Sequence, residues 1–430
     1  MALTGRAVLL ALLGILPVAL VPSLGTVVAV AVLLALLVVL DVALAMPVSG
    51  LRLSRPGATS CREGEQVEVR LTVHNTSRRP GHGVLRDAWV PSAGAGPRTH
   101  PLNLPPGERR VLTTSLRPTR RGDRYPDRVT VRSVGPLGVA ARQGHHTVPW
   151  RLRVQPPFTS RKFLPEKLAR LRTLDGLVAA RTRGQGTEFD SLREYVVGDD
   201  VRSIDWRATA RKQDVVVRTW RPERDRRVLL VLDTGRTSAG RVGDVPRLDA
   251  ALDAALLLAA LASRAGDQVD LLALDRDVRA AVEGAGRQEL LGRFVDVMAL
   301  LQPALVETDG RRMVSEVLRR SRRRSLVVLF TALDAAPLEE GLLPVLSSLT
   351  SRHTVLLVSV GDPRVEQMAA GRGTVEAVYD AAAAARTRAE RQRVTAVLRQ
   401  RGVEVVDAPP ERFASAVADA YLAMKAAGRL

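Results

Sequence analysis

From Ala7 to Ala45 the chain carries one charge, Asp41, in an otherwise apolar stretch. The apolar material falls into two runs, Ala7 to Val21 and Thr26 to Leu40, separated by "VPSLG", whose Pro22 and Gly25 mark a turn. About 20 apolar residues span a bilayer as helix, so the second run, extended through Ala45, is long enough; the first, with Pro17 inside it, is short. The pattern predicts a transmembrane helical hairpin over residues 1–50. A secretory signal is the competing reading, because Ala43-Leu44-Ala45 resembles a small-residue cleavage site, but signal cores run to only about 7–15 residues without such a break. Arg6 precedes the first run, Arg52 and Arg55 follow the second, and the tip between them is uncharged. Flanking charge of this kind predicts a multi-pass protein of the cell membrane with both ends and the soluble body in the cytoplasm. A single cysteine, Cys61, rules out an intrachain disulfide framework.

The net charge of +19 is unevenly placed. Residues 51–227 hold 36 basic and 18 acidic side chains, and residues 228–430 hold 27 and 26. A basic region beside a membrane anchor suits anionic headgroups. Nucleic acid is the other candidate for such a field, yet aromatic residues make up 3% of the chain, too few for stacking platforms, and no nucleic-acid reading motif accompanies the charge. No nucleic-acid partner is expected.

Over residues 51–155, "EQVEVRLTVHN", "RRVLTTSLRP", "DRVTVRSVG" and "WRLRVQP" alternate apolar and polar positions between Gly, Pro and Asn. This predicts a small, immunoglobulin-like β-sandwich. His145 and His146 are strand neighbours that point to opposite faces, which argues against a shared metal. Asn75-Thr76-Ser77 has the form of a glycosylation acceptor and reads, in a cytoplasmic body, as a strand-end turn. Residues 156–227 are read as linker and signature segment.

Over residues 228–430 the apolar strands "VLLVLD", "QVDLLALD", "SLVVLFTALD", "HTVLLVSVGD" and "VEVVDA" alternate with amphipathic helices such as "RLDAALDAALLLAALASRAG". This is the pattern of a doubly wound α/β domain with a parallel sheet covered on both faces. Ligands gather at the carboxyl ends of such strands, which singles out Asp233, Asp275, Asp334 and Asp362.

The stretch "GTEFDSLREYVVGDDVRSIDWRATARKQDVVVRTW" resembles the signature of the bacterial family catalogued as domain of unknown function 58, and "PTRRGDRYPDRVTVRSVGPLG" is also typical of that family. The sheet region that follows resembles a von Willebrand factor A domain. The family resemblance implies a membrane-anchored protein that works beside a MoxR-type AAA+ ATPase, with no established enzymatic activity. The A-domain resemblance implies a divalent-cation site built from Asp-x-Ser-x-Ser, a loop Thr and a later Asp. Here Asp233 and Thr237 are kept in "DTGRTS", Gly235 replaces a Ser, Thr308 in "VETDG" is the candidate loop Thr, and Ala332 stands where the acid is expected, leaving Asp334 two residues on. That degenerate set is expected to bind Mg²⁺ weakly or not at all, so no cofactor is expected.

The signature segment gathers Glu188, Arg193, Glu194, Tyr195, Asp199, Asp200, Arg202, Asp205, Trp206 and Arg211. A hydrolase would need differentiated carboxylates, or a nucleophile with its base and orienting group. No histidine lies between His146 and His353. Gly184-Gln185-Gly186 follows no apolar strand and fails the context test for a phosphate loop. A clamp is favoured instead. Asp199 or Asp200 would cap a helix over "VRSIDWRATA", Arg193, Arg202 and Arg207 would bind Glu194 and Asp205, and Tyr195, Ile204 and Trp206 would anchor the segment on apolar surface and hold neighbouring bodies together. The expected function is a non-catalytic adaptor or scaffold docking the ATPase or its client. A metal-dependent adhesion-type receptor and a hydrolase using the acidic cluster are the alternatives.

Overall fold

The computed structural model describes residues 1–430 except 182–187, 213 and 222–225, together with all side chains outside 175–190, 212–213 and 219–225. The chain forms two compact units, Met1–Pro157 and Phe158–Leu430.

The first unit opens with a two-residue strand β1 (Ala2–Leu3), followed by helices α1 (Gly5–Leu13), α2 (Ile15–Leu20) and α3 (Leu24–Leu44). Ser23 caps α3, its hydroxyl accepting from the Thr26 amide at 3.2 Å. Apart from Asp41 near its end, α3 is apolar on every side, so no face can be turned to water without cost. At about 1.5 Å per residue its 21 residues span roughly the 30 Å of a hydrocarbon core. Among the described residues, α3 is the one helix long and apolar enough to cross a membrane; Gly5–Leu20 is shorter. The expected pair of spanning helices is thus reduced to one that meets the length criterion, because Pro17 and the break at Gly14 divide the first run into two short helices.

The strands that follow are β2 (Leu51–Ser54), β3 (Ser60–Arg62), β4 (Val67–Asn75), β5 (Gly81–Trp89), β6 (Thr99–Leu104), β7 (Arg109–Leu116), β8 (Gly122–Arg124), β9 (Pro126–Val134), β10 (Ala140–His146) and β11 (Leu152–Gln155). They form sheets ordered β1-β10-β9-β5-β6, β2-β4-β7 and β3-β11-β8. Alternating burial along β4 and β9 puts Leu71, Val73, Val129 and Val131 into one core with Leu85 and Leu104. Beside it, Arg55 and Asp87 form a buried bidentate pair that also takes the Trp89 indole N–H at 3.0 Å. Asn75 is buried, its amide donating to the Leu104 carbonyl at 3.0 Å, which makes it a structural turn residue. His146 turns inward to the Val48 carbonyl while His145 is exposed.

Asp41, the lone charge of the apolar stretch, joins α3 to this unit. Its buried carboxylate accepts from the amides of Leu137, Val139 and Ala140, all at 2.7 Å, in the β9–β10 turn. Arg142 donates to the Val42 carbonyl at 2.7 Å, and β1 pairs with β10, so the segments on either side of the apolar stretch are tied to one strand.

In the second unit, residues expected to be linker are partly a structural layer. Helix α4 (Leu164–Arg181) packs Leu164, Leu168 and Leu171 into the unit's main core, and buried Lys167 reaches Asp419 at 2.9 Å. The signature follows as strand β12 (Glu188–Glu194), helix α5 (Trp206–Lys212) and strand β13 (Val216–Arg221), with β12 and β13 antiparallel.

The rest comprises β14 (Arg227–Asp233), α6 (Arg236–Ala239), α7 (Arg247–Arg264), β15 (Gln268–Leu274), β16 (Val278–Val282), α8 (Leu290–Leu300), α9 (Gly310–Arg320), β17 (Leu326–Phe330), β18 (Thr354–Val360), α10 (Pro363–Ala369), α11 (Val375–Gln400), β19 (Val403–Ala408) and α12 (Pro410–Ala426). The sheet order is β16-β15-β14-β17-β18-β19. Its pairs are parallel except at the edge, where β16 runs antiparallel to β15. That strand departs from the all-parallel expectation. It is five residues long with an alternating burial pattern, so it lacks the continuous apolar run that marks the inner strands. Along β14, Leu230 and Leu232 face the core with α7 and α12, while Leu229 and Val231 face the core with α9 and α11. A sheet buried on both faces leaves its carboxyl edge as the place for chemistry.

Candidate functional site

β14 lies at the centre of the sheet, and the chain leaves it toward β15 on one side while β17 adjoins the other, so Asp233 closes the strand at the switch point. Its side chain is buried. Oδ1 accepts from the Thr308 hydroxyl at 2.5 Å and the Gly235 amide at 2.8 Å; Oδ2 accepts from the Thr331 hydroxyl at 2.7 Å and the Thr237 hydroxyl at 3.2 Å. Burial pushes the Asp233 carboxyl up from the ordinary carboxylate range, opposed by these bonds, led by that from Thr308. The loop before α9 is fixed by the Arg236 amide donating to Val306 at 2.8 Å and the Ala304 amide donating to Thr234 at 2.7 Å. Thr308 therefore sits where a side chain at position 235 would project: a Cβ on Gly235 would lie 2.1 Å from its hydroxyl.

The structure thus brings Asp233, Thr237 and Thr308 together and leaves Asp334 out. Asp334 turns to Arg247, 3.6 Å away. Thr331 takes part instead, a residue that the expectation of an acid at Ala332 passes over. It follows the last residue of β17, and only the pairing of β17 with β14 brings it beside Asp233. Asp275, at the end of β15, belongs to a different arrangement. Its buried carboxylate accepts from Arg279 Nε at 2.7 Å, the Arg276 amide at 2.7 Å and the Thr234 hydroxyl at 3.1 Å. Burial acts to raise its pKa, but the Arg279 and backbone bonds outweigh it and hold the carboxyl below the usual range. Asp362 caps α10, accepting from the Arg364 amide at 2.9 Å.

A shallow hollow opens over Asp233, bordered by Thr308, Thr331, Met313, Leu338 and Leu342. Leu305, in the loop that leads to Thr308, is 81% exposed. The four lone-pair directions of the Asp233 carboxylate are filled by three hydroxyls and one amide. The oxygens gathered here are one carboxylate and the hydroxyls of Thr237, Thr308 and Thr331, while the expected second acid, Asp334, is turned to Arg247. Among the described residues no group of three or more His, Cys, Asp or Glu side chains is placed to hold a metal.

The signature segment is built differently from the clamp read in the sequence. Arg193 pairs with Asp199 at 2.5 Å, not with Glu194 or Asp205, and Asp199 also accepts from the Val196 amide at 2.9 Å. Asp205 pairs with Arg218 at 2.8 Å and caps α5 by accepting from the Arg207 and Ala208 amides at 3.0 Å. Asp200 caps a separate 3₁₀ turn over Val201–Ser203, its carboxylate accepting from the Arg202 amide at 2.9 Å. The Arg193 and Arg218 bonds hold the carboxyls of Asp199 and Asp205 below the usual range. Tyr195 and Ile204 are half-buried, with the Tyr195 amide donating to Val215 at 2.8 Å, but Trp206 is 67% exposed. Glu194 and Arg211 are exposed. The side chain of Glu188 and the stretch Gly184-Gln185-Gly186 lie outside the described residues. These pairs span short stretches of sequence within one hairpin, so they fix its connection.

Residues 191–403, from the hairpin to the last strand, match a single family model. That family is DUF58, described as a protein of unknown function. Uncharacterized proteins of Mycobacterium tuberculosis and Mycobacterium bovis are each 28% identical to the chain over 214 residues, 46% of this chain and 67% of theirs. Among solved structures, the SpRpn10 VWA domain is similar at 11% identity and a TM-score of 0.29, covering 45% of this chain and 94% of that one. Proximal thread matrix protein 1 of the mussel byssus is similar at 10% identity and a TM-score of 0.30, covering 47% of each chain.

Proposed function

We propose that this DUF58 chain is a membrane-anchored, non-catalytic adaptor whose von Willebrand A-like unit docks a MoxR-type AAA+ ATPase, or that ATPase's client, across the carboxyl edge of the sheet. The observation that supports it most is the state of Asp233. The carboxylate at the switch point has its acceptor positions filled by Thr237, Thr308, Thr331 and the Gly235 amide, and no described histidine, cysteine or second carboxylate is bonded to it. A nucleophile–base pair or a carboxylate dyad needs a second titratable group within hydrogen-bond reach of Asp233, and the described contacts supply none. The acidic cluster of the signature gives a hydrolase no better footing, since Asp199, Asp200 and Asp205 are committed to backbone amides and local arginines. What the edge does offer is a hollow over Asp233 and, in the loop that leads to Thr308, exposed Leu305, a surface suited to another protein. The N-terminal part is read as a membrane hairpin with the body in the cytoplasm. The length of α3 supports one membrane segment, and the ties of both Ala2–Leu3 and Asp41 to β10 and its turn support both ends of the apolar stretch lying on the same side; the cytoplasmic side is read from the flanking arginines. Affinity purification of the full chain from membranes, with a slowly hydrolysed ATP analogue present, is expected to recover the ATPase; a preparation free of any AAA+ protein under those conditions contradicts the reading.

A metal-dependent receptor is the second reading, because Asp233, Thr237 and Thr308 do converge. Titration with Mg²⁺ or Mn²⁺ is expected to give neither heat nor a change in melting temperature; saturable heat that Asp233→Asn abolishes would move the assignment to this class.

A further inference from the structure

The connection between β12 and β13 exposes apolar side chains that neither the fold nor the proposed docking edge uses. Val197 is 94% exposed, Trp206 67% and Val201 62%. Gly198, at φ +108°, makes the turn that leaves Val197 projecting. Asp199 and Asp205 are paired with Arg193 and Arg218 from the strands, Asp200 accepts from a backbone amide, and exposed Glu194 and Asp214 lie at the two ends of the connection. Helix α5, "WRATARK", contains no carboxylate and presents exposed Arg207 and Arg211 four residues apart on one face. A tryptophan at the start of a cationic helix, flanked by projecting valines, is the chemistry of the membrane–water interface.

We propose that this connection is a second membrane contact, with Val197, Val201 and Trp206 seated in the interfacial layer of an anionic bilayer and Arg207 and Arg211 on lipid phosphates. Projecting residues suit a fluid layer that closes around them. Base stacking is disfavoured, since Trp206 is the one aromatic ring exposed in the connection. The proposal rests on the membrane-anchored reading, which tethers the chain to a bilayer.

The test uses the full chain carrying Val197→Cys labelled with an environment-sensitive fluorophore, reconstituted in nanodiscs of phosphatidylcholine alone or with phosphatidylglycerol. Burial raises the thiol pKa of Cys61 to about 11, so the label is selective for the new cysteine. A label at Val201→Cys repeats the measurement at a second site. In anionic discs the emission is expected to shift blue and to be quenched by lipid-borne nitroxide, with the quenching severalfold weaker in neutral discs and in the Arg207→Gln/Arg211→Gln variant. A label that stays in water in both lipid mixtures overturns the proposal. So does protection that appears only when soluble cell protein is added, which would assign the surface to a protein. Failure of the chain to enter the discs sinks the anchored reading, and this proposal with it; entry with a water-exposed label sinks this proposal alone.

Discussion

Asp41 and Asp233 are both buried carboxylates with full sets of partners, but the partners differ in kind. Asp41 is held by three backbone amides, which can only donate and cannot turn away. Asp233 is held by three threonine hydroxyls and a single amide, and a hydroxyl can rotate and become an acceptor. Loss of Asp41 would strand donors in a dry turn; loss of Asp233 would leave groups able to rearrange or meet water in the hollow. The first carboxylate belongs to the scaffold. The second sits where a partner could change its surroundings.

This contrast can be broken by mutation. Asp41→Ala is expected to cost the most, about 3 to 5 kcal/mol, because three amides lose their acceptor. A melting curve of the full chain in detergent checks it, and a cost under about 1 kcal/mol would erase the distinction. Asp233→Ala is expected to cost about 1 to 3 kcal/mol, and Asp233→Asn less, since a rotated hydroxyl can accept from the new amide. Gly235→Ser, which restores the hydroxyl of the ion-site pattern, is expected to cost about 1 to 3 kcal/mol by colliding with Thr308. Pairing it with Thr308→Ala should recover part of that loss in a double-mutant cycle. Arg193→Ala should change stability least, its pair with Asp199 being solvent-exposed.

A pH series sharpens the same comparison. Burial raises the Asp233 pKa in the folded protein, so between the ordinary carboxylate range and the raised value the folded state holds a proton that the unfolded chain has lost. This contribution makes stability fall as pH rises through that window and level off above it. Asp275 is lowered and acts with the opposite sign, its contribution lost as pH falls through its depressed value. Asp233→Asn should remove the decline at rising pH and leave the acid-side loss in place; an unchanged profile would place the titration elsewhere.

The doubly wound sheet was legible because its inner strands are continuous apolar runs, and Asp233 because it ends the first of them. Thr331 was not, since its relation to Asp233 comes from strand pairing and leaves no mark on spacing. The antiparallel edge strand was hidden by its short, alternating pattern. In the signature, the abundance of arginine made every carboxylate look pairable, and composition could not choose Arg193 for Asp199 or Arg218 for Asp205. The role of Asp41 depended on amides about a hundred residues away, beyond the reach of local pattern.

The central claim is that the carboxyl edge of the sheet grips another protein. A photo-crosslinking amino acid at position 305, in the full chain co-expressed with the proposed MoxR-type ATPase, checks this, with exposed Arg352, just before β18 at the opposite edge of the sheet, as control. Light-dependent crosslinks to the ATPase or its client from position 305, and none from 352, are the expected result. Equal crosslinking from both positions, or capture only from 352, would contradict the account.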